Sequence, residues 1–343
     1  MPTLERLRLS SVPMRAIHYD RQGAAHDVLE VGDLPAPVAG VGEVLVRVHR
    51  SGVNPSDVKN RTGFVSKMPF DRIIPHQDGA GVIESVGAGV SPDRVGQRVW
   101  IYEAQYGRAA GTAAEYVAVP SANAVSLPDA TSFDVGASLG VPAMTAHRCL
   151  FADGNVRGRR VMVHGGAGAV GSAAVRLAKW AGAWVVATVR RPEQMEVVRR
   201  AGADLVLNLR QEDVAGNVTA ATEGAGVDRI VDVDVVANGA LDLTCLANGG
   251  AISAYSVGDR DTRVPVPVMP FMQVNGAVRF VYVYTMPASA KQAAIKDITD
   301  CLTAGAYHPE IGLILPLDRT ADGHDAVETG AARGKVLIAV TDA

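Results

Sequence analysis

Cysteine is scarce in this chain of 343 residues: Cys149, Cys245 and Cys301 lie far apart, and no CxxC or CxxH spacing occurs. A disulfide framework and a cysteine-rich structural zinc lobe are therefore excluded, and the thiols fit a reducing cytoplasm. Charge of one sign is lacking too. The 33 basic and 36 acidic residues leave a formal net charge of -3. No basic stripe announces a nucleic-acid or membrane-surface partner. No uncharged apolar run reaches membrane-spanning length. The opening "MPTLERLRLSSVP" lacks the apolar core, about 7–15 residues long, of a secretory signal. Residues 1–13 are expected to form a flexible arm.

What is present divides into two textures. From Met14 to about Ala130 the pattern is mostly β. In "EVLVRVH" (Glu43–His49) Val44, Val46 and Val48 fall on one face. "GAGVIESVGAGV", "GQRVWIY" and "AAEYVAVP" read as short strands between turns, the last stopped by Pro120. A partly closed barrel or sandwich is expected. From about Ser132 apolar strands alternate with helical patterns: "RVMVHGG", "VVATV", "ADLVLN", "RIVDVDVV", "GGAISAYS" and "AVRFVYVYT". Continuously apolar strands with helical crossovers predict an α/β doubly wound parallel sheet. A helix pattern follows Pro287, and "GKVLIAV" reads as a strand that can return to the first domain.

The densest cluster of small residues is "VHGGAGAVGSAAVRLAKWAGAWVVATVRR" (Val163–Arg191). It contains Gly166-x-Gly168-x-x-Gly171, after a strand and opening a helix. The first glycine permits the tight turn, and the second lets a pyrophosphate approach the backbone. The third lets helix and strand pack closely. Gly166, Ala167, Gly168, Ala169, Val170 and Gly171 are thus candidate cofactor contacts, with the helix dipole facing the anion. The next strand ends in Thr188 and Val189, without the carboxylate that binds a ribose 2′-hydroxyl. Arg190 and Arg191 follow, and a guanidinium suits a 2′-phosphate, so NADPH is the expected cofactor.

"GVNPSDVKNRTG" (Gly52–Gly63), "DGAGVIESVGAGV" (Asp78–Val90), "LGVPAMTAHRCL" (Leu139–Leu150), "VHGGAGAVG", "VVANGALDLTCLANGGAIS" and the terminal "GKVLIAV" occur in one order. In these the chain resembles the medium-chain dehydrogenase/reductase superfamily, and within it the zinc-free, zeta-crystallin-like quinone oxidoreductases, over roughly Met14 to Val340. The resemblance implies a GroES-like β-barrel catalytic domain (residues 14–131 and 288–343) flanking a Rossmann domain (132–287), with the active site in the cleft. It also implies a homodimer or homotetramer joined through the Rossmann sheet edge, here Ala277–Thr285. By the same resemblance Thr145 lies near the nicotinamide ribose. Asn208, Asn238, Tyr255 and Lys335 are expected to add cofactor contacts.

Zinc relatives in the superfamily use three protein ligands. Here the first position is Asn54, His76 is matched to the second, and the third falls near Val141 or Pro142. No metal is therefore expected, and without a Lewis acid the substrate must itself be a good acceptor. Quinones fit, with an enone, 2-alkenal or enoyl-thioester as the alternative acceptor. A non-catalytic NADPH-binding protein stands behind both. Asn54 is a candidate to polarise a carbonyl. Asp57 and Lys59 either pair locally or face the cleft, and Tyr102 and Tyr106 are candidate lining residues. The family's tyrosines stand where this chain has Lys59 and Val65. "GAARGK", "NVT" and "DVDVV" carry no ligand site by their context.

Overall fold

The structure, a computed structural model, describes residues 9–64, 66–258 and 260–341. Alternating and β-branched segments build the first half. β1 (Leu9–His18) pairs antiparallel with β2 (Glu30–Pro37). β3 (Glu43–Val53), β4 (Asp78–Val86), β5 (Arg98–Ile101), β6 (Tyr116–Pro120) and β7 (Ala124–Ser126) follow. As the alternation requires, Val44, Val46 and Val48 on β3 are fully buried, against Ile83, Val99, Val117 and Val119. Burying each such side chain contributes about 1.5–3 kcal/mol.

The second texture gives β8 (Arg160–Val163), β9 (Trp184–Val189), β10 (Leu205–Asn208), β11 (Val227–Asp232), β12 (Leu246–Ala254) and β13 (Ala277–Phe280). All pairings among them are parallel, in the order β10-β9-β8-β11-β12-β13. Counting from β8, this is the 3-2-1-4-5-6 order of a dinucleotide-binding sheet. Met162, Val186, Leu207, Ile230 and Ile252 fill its core. β14 (Ile311–Pro316) and β15 (Lys335–Ala339) then return to the first sheet, whose order is β14-β15-β3-β4-β5-β7 with β6 also on β3.

The chain divides into one unit of residues 1–141 and 311–343 and another of 142–310. These divisions differ from the expected ones at 131 and 287. The helix Gly140–Phe151 contains the first division. The helix Ala288–Thr303 packs on the helix Ala169–Trp180, which keeps residues 288–310 with the parallel sheet. Two further expectations are corrected. Residues 1–8 of the expected arm lie outside the described residues, but 9–13 belong to β1, with Pro13 opposite Pro35. The expected strand Ala277–Thr285 is strand only to Phe280, and a 3₁₀ turn takes Val283–Thr285. β11 likewise stops at Asp232, because the Asp234 carboxylate caps the helix Val235–Cys245 by accepting from the Ala237 N–H.

Candidate functional site

In the parallel-sheet unit, β8 runs through His164 into Gly165, whose φ of +66° needs a glycine. The Gly166 N–H donates to the Thr188 carbonyl at 3.0 Å, anchoring the loop to the end of β9. A Cβ on Gly171 would stand 2.2 Å from the Gly165 carbonyl oxygen, so the helix Ala169–Trp180 can approach the loop only through glycine. A Cβ on Gly168 meets nothing nearer than that same oxygen at 3.4 Å. Gly168 therefore tolerates a Cβ without clash and stands bare at a helix N-terminus, the cradle an anion needs. Ala167, Ala169 and Val170 complete the loop.

Past β9, Arg190 and Arg191 hold half-exposed guanidiniums. Arg190 lies 3.5 Å from the Asp234 carboxylate, and Arg191 lies 3.7 Å from that of Glu193. Other expected cofactor residues are engaged within the protein. The buried Asn238 amide donates to Asp232 Oδ1 at 2.8 Å. Asn208 closes its own turn, donating to Gln211 and accepting from the Arg210 N–H. Thr145 is buried on the helix Gly140–Phe151. The Tyr255 N–H donates to the Asp232 carbonyl, and burial raises its phenol.

The other unit assembles a buried polar cluster around the helix Pro55–Thr62. Asn54 precedes this helix, and its N–H donates to Asp57 Oδ2 at 2.8 Å, half of a capping box. Its side chain is held on both ends: Nδ2 donates to Asp78 Oδ2 at 2.8 Å, and Oδ1 accepts from Lys335 Nζ at 2.5 Å. Lys335 also reaches Asp78 Oδ2 at 2.9 Å, while Asp78 Oδ1 accepts from the Val141 N–H. Lys335, expected among the cofactor contacts, thus belongs with Asn54 and Asp78. Asn54, expected to polarise a carbonyl, has its amide engaged inside this cluster. Burial, then the Asp78 charge, pushes the Asp57 carboxyl up to about 7 against the pull of Lys335. Asp57 Oδ1 has no partner. The Lys59 ammonium lies 4.9 Å above the Phe64 ring, and burial lowers it. Burial, then the Glu103 carboxylate, pushes the Tyr102 phenol up to about 12. Tyr106 is exposed, and Val65 lies outside the described residues.

His76 is fully buried at φ +82°, with Nδ1 2.8 Å from Ser51 Oγ and Nε2 2.9 Å from His324 Nε2. The Thr112 hydroxyl donates to the Asp78 carbonyl, so Ser51 donates to Thr112 and His76 Nδ1–H donates to Ser51. His76 Nε2 is then the acceptor of the His324 proton. Burial holds His76 well below the usual histidine range and His324 at about 3, so both rings are neutral. Asn54, His76 and Val141 therefore make no zinc ligand set: one is an internally bonded amide, one is closed by serine and histidine, and one offers a backbone N–H.

Sequence reasoning passed over Asp78, His324, His164, Asp232 and Asp242. Asp78 partners Asn54, Val141 and Lys335, all distant in sequence, and Asp232 is held by the helix start that follows it, neither of which strand periodicity records.

A barrel-like β unit joined in sequence to a 3-2-1-4-5-6 parallel sheet with an open glycine loop defines a GroES-like plus Rossmann oxidoreductase. Residues 40–129 match the alcohol dehydrogenase GroES-like domain, and residues 169–300 match the family described as zinc-binding dehydrogenase. The mouse (Mus musculus) quinone oxidoreductase is 31% identical over 333 residues, covering 95% of this chain and 97% of that protein. A quinone oxidoreductase structure from Pseudomonas syringae superposes with a TM-score of 0.81 at 26% identity, covering 95% of this chain and 99% of that one. A mycobacterial protein complexed with NADPH gives a TM-score of 0.81 and 26% identity over the same shares, 95% and 99%. The chain belongs to the medium-chain dehydrogenase/reductase superfamily, in its quinone oxidoreductase family.

Proposed function

We propose that the protein is an NADPH-dependent, zinc-independent reductase of quinones. The observation that carries this reading is a pairing: a bare glycine loop able to seat a pyrophosphate, and a catalytic-unit cluster whose donors cannot assemble a zinc site. NADPH, when bound, supplies a hydride. The loop N–H groups and the helix Ala169–Trp180 hold its pyrophosphate, and Arg190 and Arg191 receive the 2′-phosphate. The family resemblance leads us to expect Thr145 near the nicotinamide ribose. In the other unit Lys335 neutralises Asp78, and the pair holds Asn54 in one orientation, so that the loop before the helix Pro55–Thr62 is rigid. With no Lewis acid, the acceptor must bring its own electrophilicity. A quinone does, and its reduced oxygens take protons from water.

One observation favours a second reading. Reduction of an enone double bond requires a proton at carbon, and Asp57 keeps its proton to about pH 7. Stopped-flow NADPH oxidation with a benzoquinone and with a 2-alkenal separates the two. Faster turnover of the quinone is expected. Turnover of the alkenal alone would select the second reading, and turnover of neither, with NADPH bound, would leave a binding protein. Buried Cys149, Cys245 and Cys301 are all free thiols, in keeping with a cytoplasmic location. None of the helices in the described residues is long and apolar enough to cross a membrane.

A further inference from the structure

At the carboxyl ends of β8, β9 and β11 lies a knot of buried polar side chains that the proposed chemistry leaves unused. His164 immediately precedes Gly165 and Gly166. Its Nε2 lies 2.7 Å from Asp242 Oδ1, on the helix Val235–Cys245, and its Nδ1 lies 2.8 Å from Thr188 Oγ1. Asp232, ending β11, accepts on Oδ1 from the Asn238 amide and the Asp234 N–H, both at 2.8 Å. His164 is 1% exposed, and Asp232 and Asp242 are 0% exposed. A nitrogen of His164 and one oxygen of each carboxylate all fall within 4.8 Å of one another. Asp232 Oδ2 and Asp242 Oδ2 have no partner.

Two carboxylates so placed, out of water, favour a cation or a proton between them. The spacing favours the proton. An imidazole nitrogen and a carboxylate oxygen sharing a divalent ion, each about 2.0–2.2 Å from it, stand about 3 Å apart or more. The 2.7 Å separation of His164 and Asp242 is a hydrogen bond.

We propose that Asp232 and Asp242 share one proton beneath the cofactor loop, and that His164 couples it to Gly165 and Gly166, making the triad a positioning device for cofactor binding. This rests on the cofactor reading above. The His164 imidazole meets the Thr188 hydroxyl at 2.8 Å and the Gly166 N–H donates to the Thr188 carbonyl at 3.0 Å, so imidazole and loop share one residue of β9. Burial, opposed by His164 and reinforced by Asp232, pushes the Asp242 carboxyl up to about 6. The other ionisable groups around the pair are Cys245 on the same helix, Tyr255 and Cys149 beyond Asp232, and the Arg190–Asp234 pair at the helix start. The protonated pair carries one negative charge fewer under an anion site. Cofactor affinity therefore rises as pH falls through about 6, with proton uptake on binding.

The test is a fluorescence titration of NADPH from about pH 5 to 8, on the wild type and on Asp242→Asn. Asparagine mimics the protonated acid, since its oxygen accepts from His164 and its amide donates to Asp232. Comparing the two profiles cancels the cofactor's own 2′-phosphate, whose second ionisation also lies near about 6. At about pH 8 the variant is expected to bind about 3–10-fold tighter than the wild type, and near about pH 5 the two converge. Parallel profiles, or a variant weaker throughout, would overturn the proposal. A second measurement needs no variant: calorimetry of the wild type with NADH, which lacks the phosphate, in buffers of different ionisation enthalpy at about pH 6.5. Fractional proton uptake is expected, and none would contradict the proposal. A divalent ion bound stoichiometrically by the wild type and lost from Asp242→Asn would also contradict it. Binding of neither cofactor at any pH would defeat the cofactor reading and the proposal together. Binding without a pH difference would defeat the proposal alone.

Discussion

Gly168 and Gly171 sit three residues apart yet answer to different constraints. A Cβ on Gly168 would stand in ordinary contact 3.4 Å from the Gly165 carbonyl oxygen, while one on Gly171 would stand 2.2 Å from it, a distance no Cβ tolerates. Gly168→Val is expected to fold with an unchanged Tm and to lose NADPH binding in a fluorescence titration. Gly171→Ala is expected to lower the Tm by several °C as the helix is pushed from the loop; the reverse pattern would contradict the assignment of the two glycines. Arg190 and Arg191 stand out in the sequence because an absent carboxylate and two guanidiniums lie at a fixed offset from the loop, and their role toward a 2′-phosphate is the proposal. The double variant Arg190→Ala/Arg191→Ala is expected to raise the KM for NADPH about tenfold or more while leaving that for NADH nearly unchanged. Asn54, Asn208 and Asn238 show what single letters conceal. An amide reads as a ligand contact until the structure gives its hydrogens a partner inside the fold.

At the scale of elements, the helix Pro55–Thr62 is set by its capping residues and by the buried ion pair of Lys335 and Asp78 behind them. Asp57, at the third helical position, gives this element a pH dependence. The ordinary value of its carboxyl is 3.8, and in the folded chain burial pushes it up to about 7. Below that window both states hold the proton. Between the two values the folded chain keeps it while the unfolded chain releases it, so this group's contribution falls as pH rises through the window. Asp57→Asn, which still accepts from the Asn54 N–H, is expected to flatten the Tm profile between about pH 4 and 7 and to raise the Tm by a few °C at pH 8. A profile parallel to that of the wild type would show that Asp57 is ionised throughout. Strand positions were readable from alternation and from continuous apolar runs. Strand ends were not, because the stop of β11 depends on the Asp234 cap and the stop of β13 on a 3₁₀ turn. The pairing of His76 with His324 spans residues 248 apart, and no local pattern announces it.

At the scale of the whole molecule, the order of motifs made the two larger of the three sheets legible, including the return of the C-terminal strand to β3. The unit boundaries were misplaced because residues 288–303 read as a helix without revealing which sheet they cover. β13 is the outer strand of the parallel sheet, and Phe280 at its end and Tyr282 just past it stand 63% and 53% exposed. An apolar edge of this kind is expected to be covered by a second copy of the chain. Light scattering is expected to give a dimer or tetramer, and Phe280→Lys/Tyr282→Lys to shift it toward monomer. A monomeric wild type would contradict this. The central claim is that a pyridine nucleotide on the glycine loop reduces an acceptor that needs no metal. The direct measurement is NADPH oxidation by a benzoquinone, followed at 340 nm, with enzyme dialysed exhaustively against a chelator. Full turnover retained after dialysis, about tenfold or more above that with NADH, is the predicted result. Activity lost on dialysis and restored by stoichiometric zinc would contradict the account.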